Sequence, residues 1–273
     1  VQRTVLITGA TSGLGRELAD RVAACGHRVL VHGRSAERAE AVRAELVAAT
    51  GSEEHTALVA DLSELRQVAQ LADEVRRCTD RLDVLVNNAG IGSGPPGAQR
   101  ELSADGVELR FAVNYLAGYH LTRLLLPLLR ASAPSRVVNV ASAGQHSIDF
   151  DDPMLAHDYL GTRAYAQSKL AQIMSTVDLA AELDGSGVTV NAVHPATYMN
   201  TAMVREAGVS PVSTVSEGAE AVMHLITGPG LDATTGEYFH GTRACRALDQ
   251  AYDEQARARL RALSDELVEQ ARS

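Results

Sequence analysis

Thr4-Val5-Leu6-Ile7-Thr8-Gly9-Ala10-Thr11-Ser12-Gly13-Leu14-Gly15 is the stretch whose reading decides the fold. An apolar, β-branched run ends in a turn carrying three glycines, and an amphipathic stretch starts inside that turn. Gly9 is free to take the positive φ of a tight turn. Gly13 has no side chain to keep a pyrophosphate away from the backbone, and Gly15 lets the following helix pack close to the strand. Thr11, Ser12 and Leu14 complete the turn. The helix N-terminus then presents free N–H groups and the positive end of its dipole to an anionic group. The spacing is Gly-x-x-x-Gly-x-Gly, not the Gly-x-Gly-x-x-Gly of the common dinucleotide fingerprint. A purely structural strand-to-helix turn remains the alternative, and the position at the first strand–helix junction favours binding.

Outward from this turn, short β-branched runs alternate with longer amphipathic ones. Strands are expected at Thr4–Thr8, Arg28–His32, His55–Ala60, Val84–Asn87, Arg136–Ala141, Thr189–His194 and Glu237–His240. Helices are expected at Gly13–Cys25, Ala36–Thr50, Glu64–Cys78, Ser103–Arg130, Arg163–Leu183 and Ser216–Thr227, with a charged C-terminal helix over Cys245–Gln270. Such alternation gives a parallel sheet wrapped by helices on both faces. The expected fold is one doubly wound, Rossmann-type α/β domain over residues 1–273, with about seven strands. The turn-rich Gly92–Gly97 reads as a loop, because the alternation continues beyond it.

Composition narrows the function. The net charge is −9 and 45% of residues are apolar. A nucleic-acid partner needs a basic face, so that class is set aside. Cys25, Cys78 and Cys245 are far apart, and no Cys/His spacing suggests a metal. The chain opens on its first strand-like run, so no signal peptide is expected, and a reduced, cytoplasmic setting is the simplest reading. The longest apolar stretch, near Leu121–Leu129, is interrupted by Arg123 and Pro127, so no membrane span is expected.

The end of the second expected strand bears on which dinucleotide is bound. An acidic residue there would hold the ribose 2′-hydroxyl of NAD. The chain has His32-Gly33-Arg34, with no carboxylate before Glu37. A guanidinium at 34 suits a 2′-phosphate. NADP(H) is therefore preferred and NAD(H) is the runner-up. A solvated loop arginine is the plain alternative for Arg34, and Arg16 either adds to the positive field or sits on the helix surface.

Tyr165-Ala166-Gln167-Ser168-Lys169 places a phenol and an ammonium at i and i+4 on one helix face. A free phenol has a pKa near 10 and is a poor base at neutral pH. A cation about 4–5 Å away, at an effective dielectric near 20, favours the phenolate by roughly 3–4 kcal/mol. That is about 2–3 pH units, enough to poise the phenol for acid–base work. The chain holds 24 arginines and one lysine, and that lysine is Lys169. Arginine would supply charge there but not a compact, rotatable three-donor group.

The glycine turn, Asn87-Asn88-Ala89-Gly90, Asn114, Ser142 and Tyr165-x-x-x-Lys169 occur in an order that resembles the short-chain dehydrogenase/reductase family, from residue 4 to about 240. The resemblance implies a catalytic set of Asn114, Ser142, Tyr165 and Lys169. Tyr165 would exchange a proton with the substrate oxygen and Ser142 would hydrogen-bond that oxygen. Lys169 would bind the nicotinamide ribose and lower the tyrosine pKa, and Asn114 would hold a water that connects Lys169 to solvent. A turn cap for Ser142 and a core polar role for Asn114 are the competing readings. For the cofactor the resemblance implies Asn88, Ala89 and Gly90 at the adenine ring, with Asp61 and Leu62 beside them. A helix N-cap is the other reading of Asp61. Pro195, Thr197 and Thr201 would follow the sixth strand near the carboxamide, although Pro195-Ala196 departs from the family's Pro-Gly.

Ser142 and Tyr165 stand 23 positions apart, more than the family's usual dozen or so. With Gly106–Leu129 and His194-Pro195, the extra Gln145–Arg163 segment looks like the retinol-dehydrogenase and WW-domain-oxidoreductase branch. That implies a ketone, aldehyde or alcohol substrate, with an apolar or secondary-metabolite lean. A lid is expected over residues 197–215, whose Tyr198, Met199, Met203 and Val204 suit a bulky apolar ligand or pack as an ordinary short helix. His120 and His146 are either pocket residues or structural. The family implies a homodimer or homotetramer through the helices that hold Asn114 and Tyr165. A non-catalytic dinucleotide sensor is the rival function, and it would have no use for a poised phenol.

Overall fold

The computed structural model describes residues 2–271. Strand β1 (Thr4–Ile7) is followed by α1 (Gly13–Ala24), β2 (Arg28–Gly33), α2 (Ala36–Thr50), β3 (Thr56–Val59), α3 (Leu65–Cys78) and β4 (Val84–Asn87). A π-helical turn, Phe111–Leu116, runs into α4 (Ala117–Ala131), then β5 (Ser135–Val140), α5 (Gly161–Glu182) and β6 (Val188–His194). A short α6 (Ala202–Glu206), α7 (Val215–Thr227), the strands β7 (Tyr238–His240) and β8 (Arg243–Cys245), a 3-10 turn (Asp249–Tyr252) and α8 (Glu254–Gln270) complete the chain.

The sheet order is β3-β2-β1-β4-β5-β6-β7-β8. Seven strands are parallel, and β8 joins β7 antiparallel. The period-2 alternation of side chains splits the core into two layers. Leu6, Leu30, Leu85, Val137 and Val190 face α3, α4 and α5. Val5, Ile7, Val29, Val31, Val86 and Val138 face α1 and α7. Strand order reverses between β1 and β4, which opens a crevice at their C-terminal ends, the usual ligand position in such sheets.

Two boundaries and the strand count differ from the sequence reading. Helical structure does not start at Ser103: Gly106 takes φ +76° and Leu102 bridges Glu108, so a turn precedes the π segment. The C-terminal helix starts at Glu254, not Cys245, because residues 243–245 pair with β7 and Asp253 caps the helix through Gln255 N and Ala256 N. Finally, β8 adds an eighth strand to the seven expected.

α8 lies outside the layers. Its Ala256, Leu260, Ser264 and Val268, spaced four apart, form its buried stripe. Tyr115 and Ser264 hydroxyls hydrogen-bond at 2.8 Å, Tyr119 donates to Asp265 at 2.7 Å, and Arg261 pairs with Asp178 of α5 at 2.6 Å. The helices holding Asn114 and Tyr165 therefore carry α8 across the face expected for a second copy.

Candidate active site

The glycine turn is as crowded as its sequence suggested. A Cβ on Gly15 would stand 2.2 Å from Gly9 O and 2.5 Å from Asn88 Nδ2. Gly9 and Gly13 have φ +66° and +53°, which disfavour any side chain. Ser12 is the α1 N-cap, yet its side chain makes no capping bond, and the first turn has no acid. The orphan N–H groups of that turn are thus left for an outside acceptor, and this donor set fits a diphosphate. Two devices hold the turn. Thr8 Oγ1 accepts from Asn88 N and Ala89 N, both at 3.0 Å, while Asn88 Nδ2 donates back to Thr8 O at 2.8 Å. His32 is buried, with Nδ1 accepting from Gly9 N at 3.1 Å and Nε2 at 3.1 Å from Ala60 O. Its burial pushes the imidazole down to about 4, so the neutral form with Nε2–H is the one that bridges. Sequence reasoning missed His32, since nothing in a strand pattern marks which residue reaches across to a neighbouring turn.

Arg34 follows β2 directly, and the Thr11 methyl stands 2.5 Å from where a Cβ on Gly33, the last residue of β2, would be. Arg34 and Arg38 are both exposed, with no hydrogen bond or ion pair on either guanidinium among the described residues. Arg16 is different: Asp20 and Glu45 neutralise it, which removes it as a source of positive field. Asp61 does not cap α3. Its Oδ1 accepts from Ser63 N and Ser63 Oγ, Glu64 is the N-cap, and Asp105 receives Leu65 N. Leu62 is buried in the core.

Ser142 lies two residues past β5, and Tyr165 and Lys169 lie on the facing side of α5. The Ser142 carbonyl is pinned by Tyr238 OH at 3.1 Å and Gln145 Nε2 at 3.2 Å, and its Oγ accepts from Gly144 N at 3.0 Å. Crowding around Tyr165 raises its pKa by desolvation even though part of the ring stays exposed, and a hydrogen bond from the Ser142 hydroxyl opposes that rise. Lys169 Nζ stands 5.7 Å from the Tyr165 ring centre and donates to Val140 O at 2.8 Å and Gln172 Oε1 at 2.9 Å. Burial pushes Lys169 down to about 7. The depression of Tyr165 expected from a neighbouring cation is therefore not among the influences on it in this geometry. The ammonium is itself desolvated, and two of its three donors point elsewhere.

Asn114 sits in the π-helical turn, an insertion that shifts hydrogen-bond phase within a helix. Its Oδ1 accepts from Ile91 N at 2.7 Å and its Nδ2 donates to Ile91 O and Ser168 Oγ. This stitches the loop after β4 to α5, and both amide protons are spent there. A Cβ on Gly90 would lie 3.2 Å from Asn114 Oδ1 and 3.7 Å from Lys169 Nζ, so Gly90 keeps these groups close. In the segment after β6, Pro195 precedes Thr197, which hydrogen-bonds His194 at 3.1 Å. Thr201 caps α6 and stands 3.4 Å from a Cβ placed on Gly13, which brings this segment to the glycine turn. Tyr198 takes φ +44° and is exposed. Of the Gln145–Arg163 segment, residues 145–160 are irregular and α5 begins at Gly161. Arg110 donates to Tyr159 OH, which donates to Glu108, and Arg110 also reaches Gly92 O. His146 is exposed and donates to Ser147 O, and His120 is buried in α4. No cluster of His, Cys, Asp and Glu among the described residues is fit to hold a metal, and no described helix is long and apolar enough to cross a membrane.

The family model described as short chain dehydrogenase matches residues 3–210. Human retinol dehydrogenase 14 is 36% identical over 97% of this chain and 86% of its own length. Among solved structures, an uncharacterised protein from Mycobacterium paratuberculosis superposes with TM-score 0.81 at 29% identity, over 98% of this chain and 94% of that one. The RhlG–NADP active-site complex of Pseudomonas aeruginosa gives TM-score 0.71 at 29% identity, over 87% and 94%.

Proposed function

The chain belongs to the short-chain dehydrogenase/reductase family, and on that premise we propose that it is an NADP(H)-dependent carbonyl reductase or alcohol dehydrogenase. The observation that carries the reading is the meeting of Tyr165 with Ser142 beside Lys169, at the sheet end where the uncapped α1 turn opens. When bound, the nicotinamide supplies or takes up the hydride. The Ser142 hydroxyl holds the substrate oxygen and offsets its developing negative charge. In the reducing direction the Tyr165 O–H gives its proton to that oxygen, and in the oxidising direction the phenolate takes it back. The raised pKa keeps Tyr165 protonated near neutral pH, the form that carbonyl reduction uses. Lys169 has one donor left for the nicotinamide ribose after Val140 O and Gln172.

Arg34, with Arg38 in the first turn of α2, supports a 2′-phosphate, and no carboxylate stands between the end of β2 and Glu37 to repel it. The apolar lid residues and the retinol dehydrogenase relative support an apolar aldehyde, ketone or alcohol as substrate. The three free cysteines fit a cytoplasmic setting. A panel of apolar aldehydes and ketones with NADPH, followed by loss of nicotinamide absorbance, tests the reading. Tyr165→Phe should cut turnover by about 10²–10⁴-fold while NADPH still binds. A variant retaining half the wild-type rate would remove Tyr165 from the chemistry.

A further inference from the structure

Lys169 is buried, and a buried ammonium persists only where acceptors replace its water. The backbone supplies one, Val140 O. Among the described residues the only side-chain acceptor on Nζ is Oε1 of Gln172, one helical turn onward and 4% exposed. Asn114, the other amide nearby, is committed to Ile91 and Ser168. Gln172 also lines a small cavity of about 20 Å³ between α4, α5 and α8, room for roughly one water. Asn139 and Thr122 share that wall and continue a buried polar file through Asn87, whose Oδ1 has no hydrogen-bond partner among the described residues.

We propose that Gln172 is the positioning residue for Lys169: its side-chain oxygen holds the ammonium in place and keeps it charged. The proposal deepens the functional reading above and rests on it for its catalytic consequence, though not for its physical content.

The charges facing this group make the role specific. On α5 the neighbours are Tyr165, near the ammonium, and Asp178 on the cavity wall, which is committed to Arg257 and Arg261 of α8. β6 contributes His194, whose burial pushes it down to about 4, so it gives Lys169 no negative partner. The π turn and α4 bring Tyr115, Tyr119 and Arg123, none of them an anion near neutral pH. The 3-10 turn against α5 brings Asp249 and Tyr252, and Asp249 is highly exposed, within 3.7 Å of Arg246. With no carboxylate on Nζ among the described residues, the amide oxygen is the side-chain group that favours the protonated form.

The chain's single lysine makes the test direct, because protein labelled with [13Cε]lysine gives one resonance, that of Lys169. Its titration midpoint in the wild type is expected at about 7. In Gln172→Met, a side chain of similar length without an acceptor, the midpoint should fall by about one pH unit or more. In Gln172→Glu it should rise above the wild type. Enzyme assays run alongside should show the alkaline limb of kcat/KM moving the same way, with activity recovered in Gln172→Glu. A Gln172→Met protein that melts cooperatively and titrates like the wild type would overturn the proposal, as would a fall in Gln172→Glu. Should the wild type turn over no carbonyl compound, the functional reading fails while the lysine titration still decides this one.

Discussion

Replacing His32 with leucine should change how the protein responds to acid. In the folded chain His32 is neutral and buried, clasping Gly9 N and Ala60 O, and its pKa lies at about 4 against an ordinary 6.5. The unfolded chain therefore binds the proton first. Stability from this residue is complete above about pH 6.5 and is lost as the pH falls toward 4. The full gap amounts to about 3 kcal/mol, of which about 2 kcal/mol is lost between about pH 7 and pH 4.5. His32→Leu removes this dependence and leaves a buried N–H and carbonyl unpaired, at a cost of about 1–3 kcal/mol near neutrality. His194, also pushed to about 4, is common to both proteins and cancels in the comparison. Urea unfolding followed by circular dichroism, suited to a chain without tryptophan, gives the two stabilities at each pH. The variant should be the weaker protein at neutral pH, and its deficit should shrink by about 2 kcal/mol on acidification. Parallel losses in the two proteins would show that His32 is not the group that titrates.

Two further outcomes concern the cofactor and assembly. Arg34→Ala should raise the KM for NADPH by about tenfold or more with little effect on NADH, as expected for the loss of a charge-assisted phosphate contact. Equal changes with both would take Arg34 away from the 2′-phosphate. Because α8 covers α4 and α5 and turns charged residues such as Arg259 and Glu266 outward, light scattering should give a monomer mass for the full chain, and a dimer mass would require another shared surface.

Much of this architecture was legible because local patterns carry it. The β1 turn, the i, i+4 pairing of Tyr165 and Lys169, and the strand–helix alternation all depend on residues close in sequence, and the parallel sheet follows from them. What escaped leaves no mark in the local apolar pattern. β8 has only three exposed residues, Arg243-Ala244-Cys245, so no alternation announces it, and its pairing with β7 moved the start of α8 to Glu254. The π turn at Phe111–Leu116 keeps the apolar spacing of an ordinary helix, and its changed phase shows only in three dimensions. In the site, the sequence placed Lys169 beside Tyr165 but not its acceptors, Val140 O and Gln172. Burial, which the local pattern does not show, reverses the expected electrostatics of the pair by raising Tyr165 and pushing Lys169 down to about 7.

The most direct test of the central claim follows an isotope. The protein is supplied with NADPH carrying deuterium at the transferable nicotinamide position and with an apolar aldehyde or ketone that it turns over. Mass spectrometry of the alcohol should find one deuterium bound to the former carbonyl carbon, and Tyr165→Phe should yield almost none of that product. An alcohol formed without the label would contradict hydride transfer from the nicotinamide, and with it the chemistry assigned to Tyr165, Ser142 and Lys169.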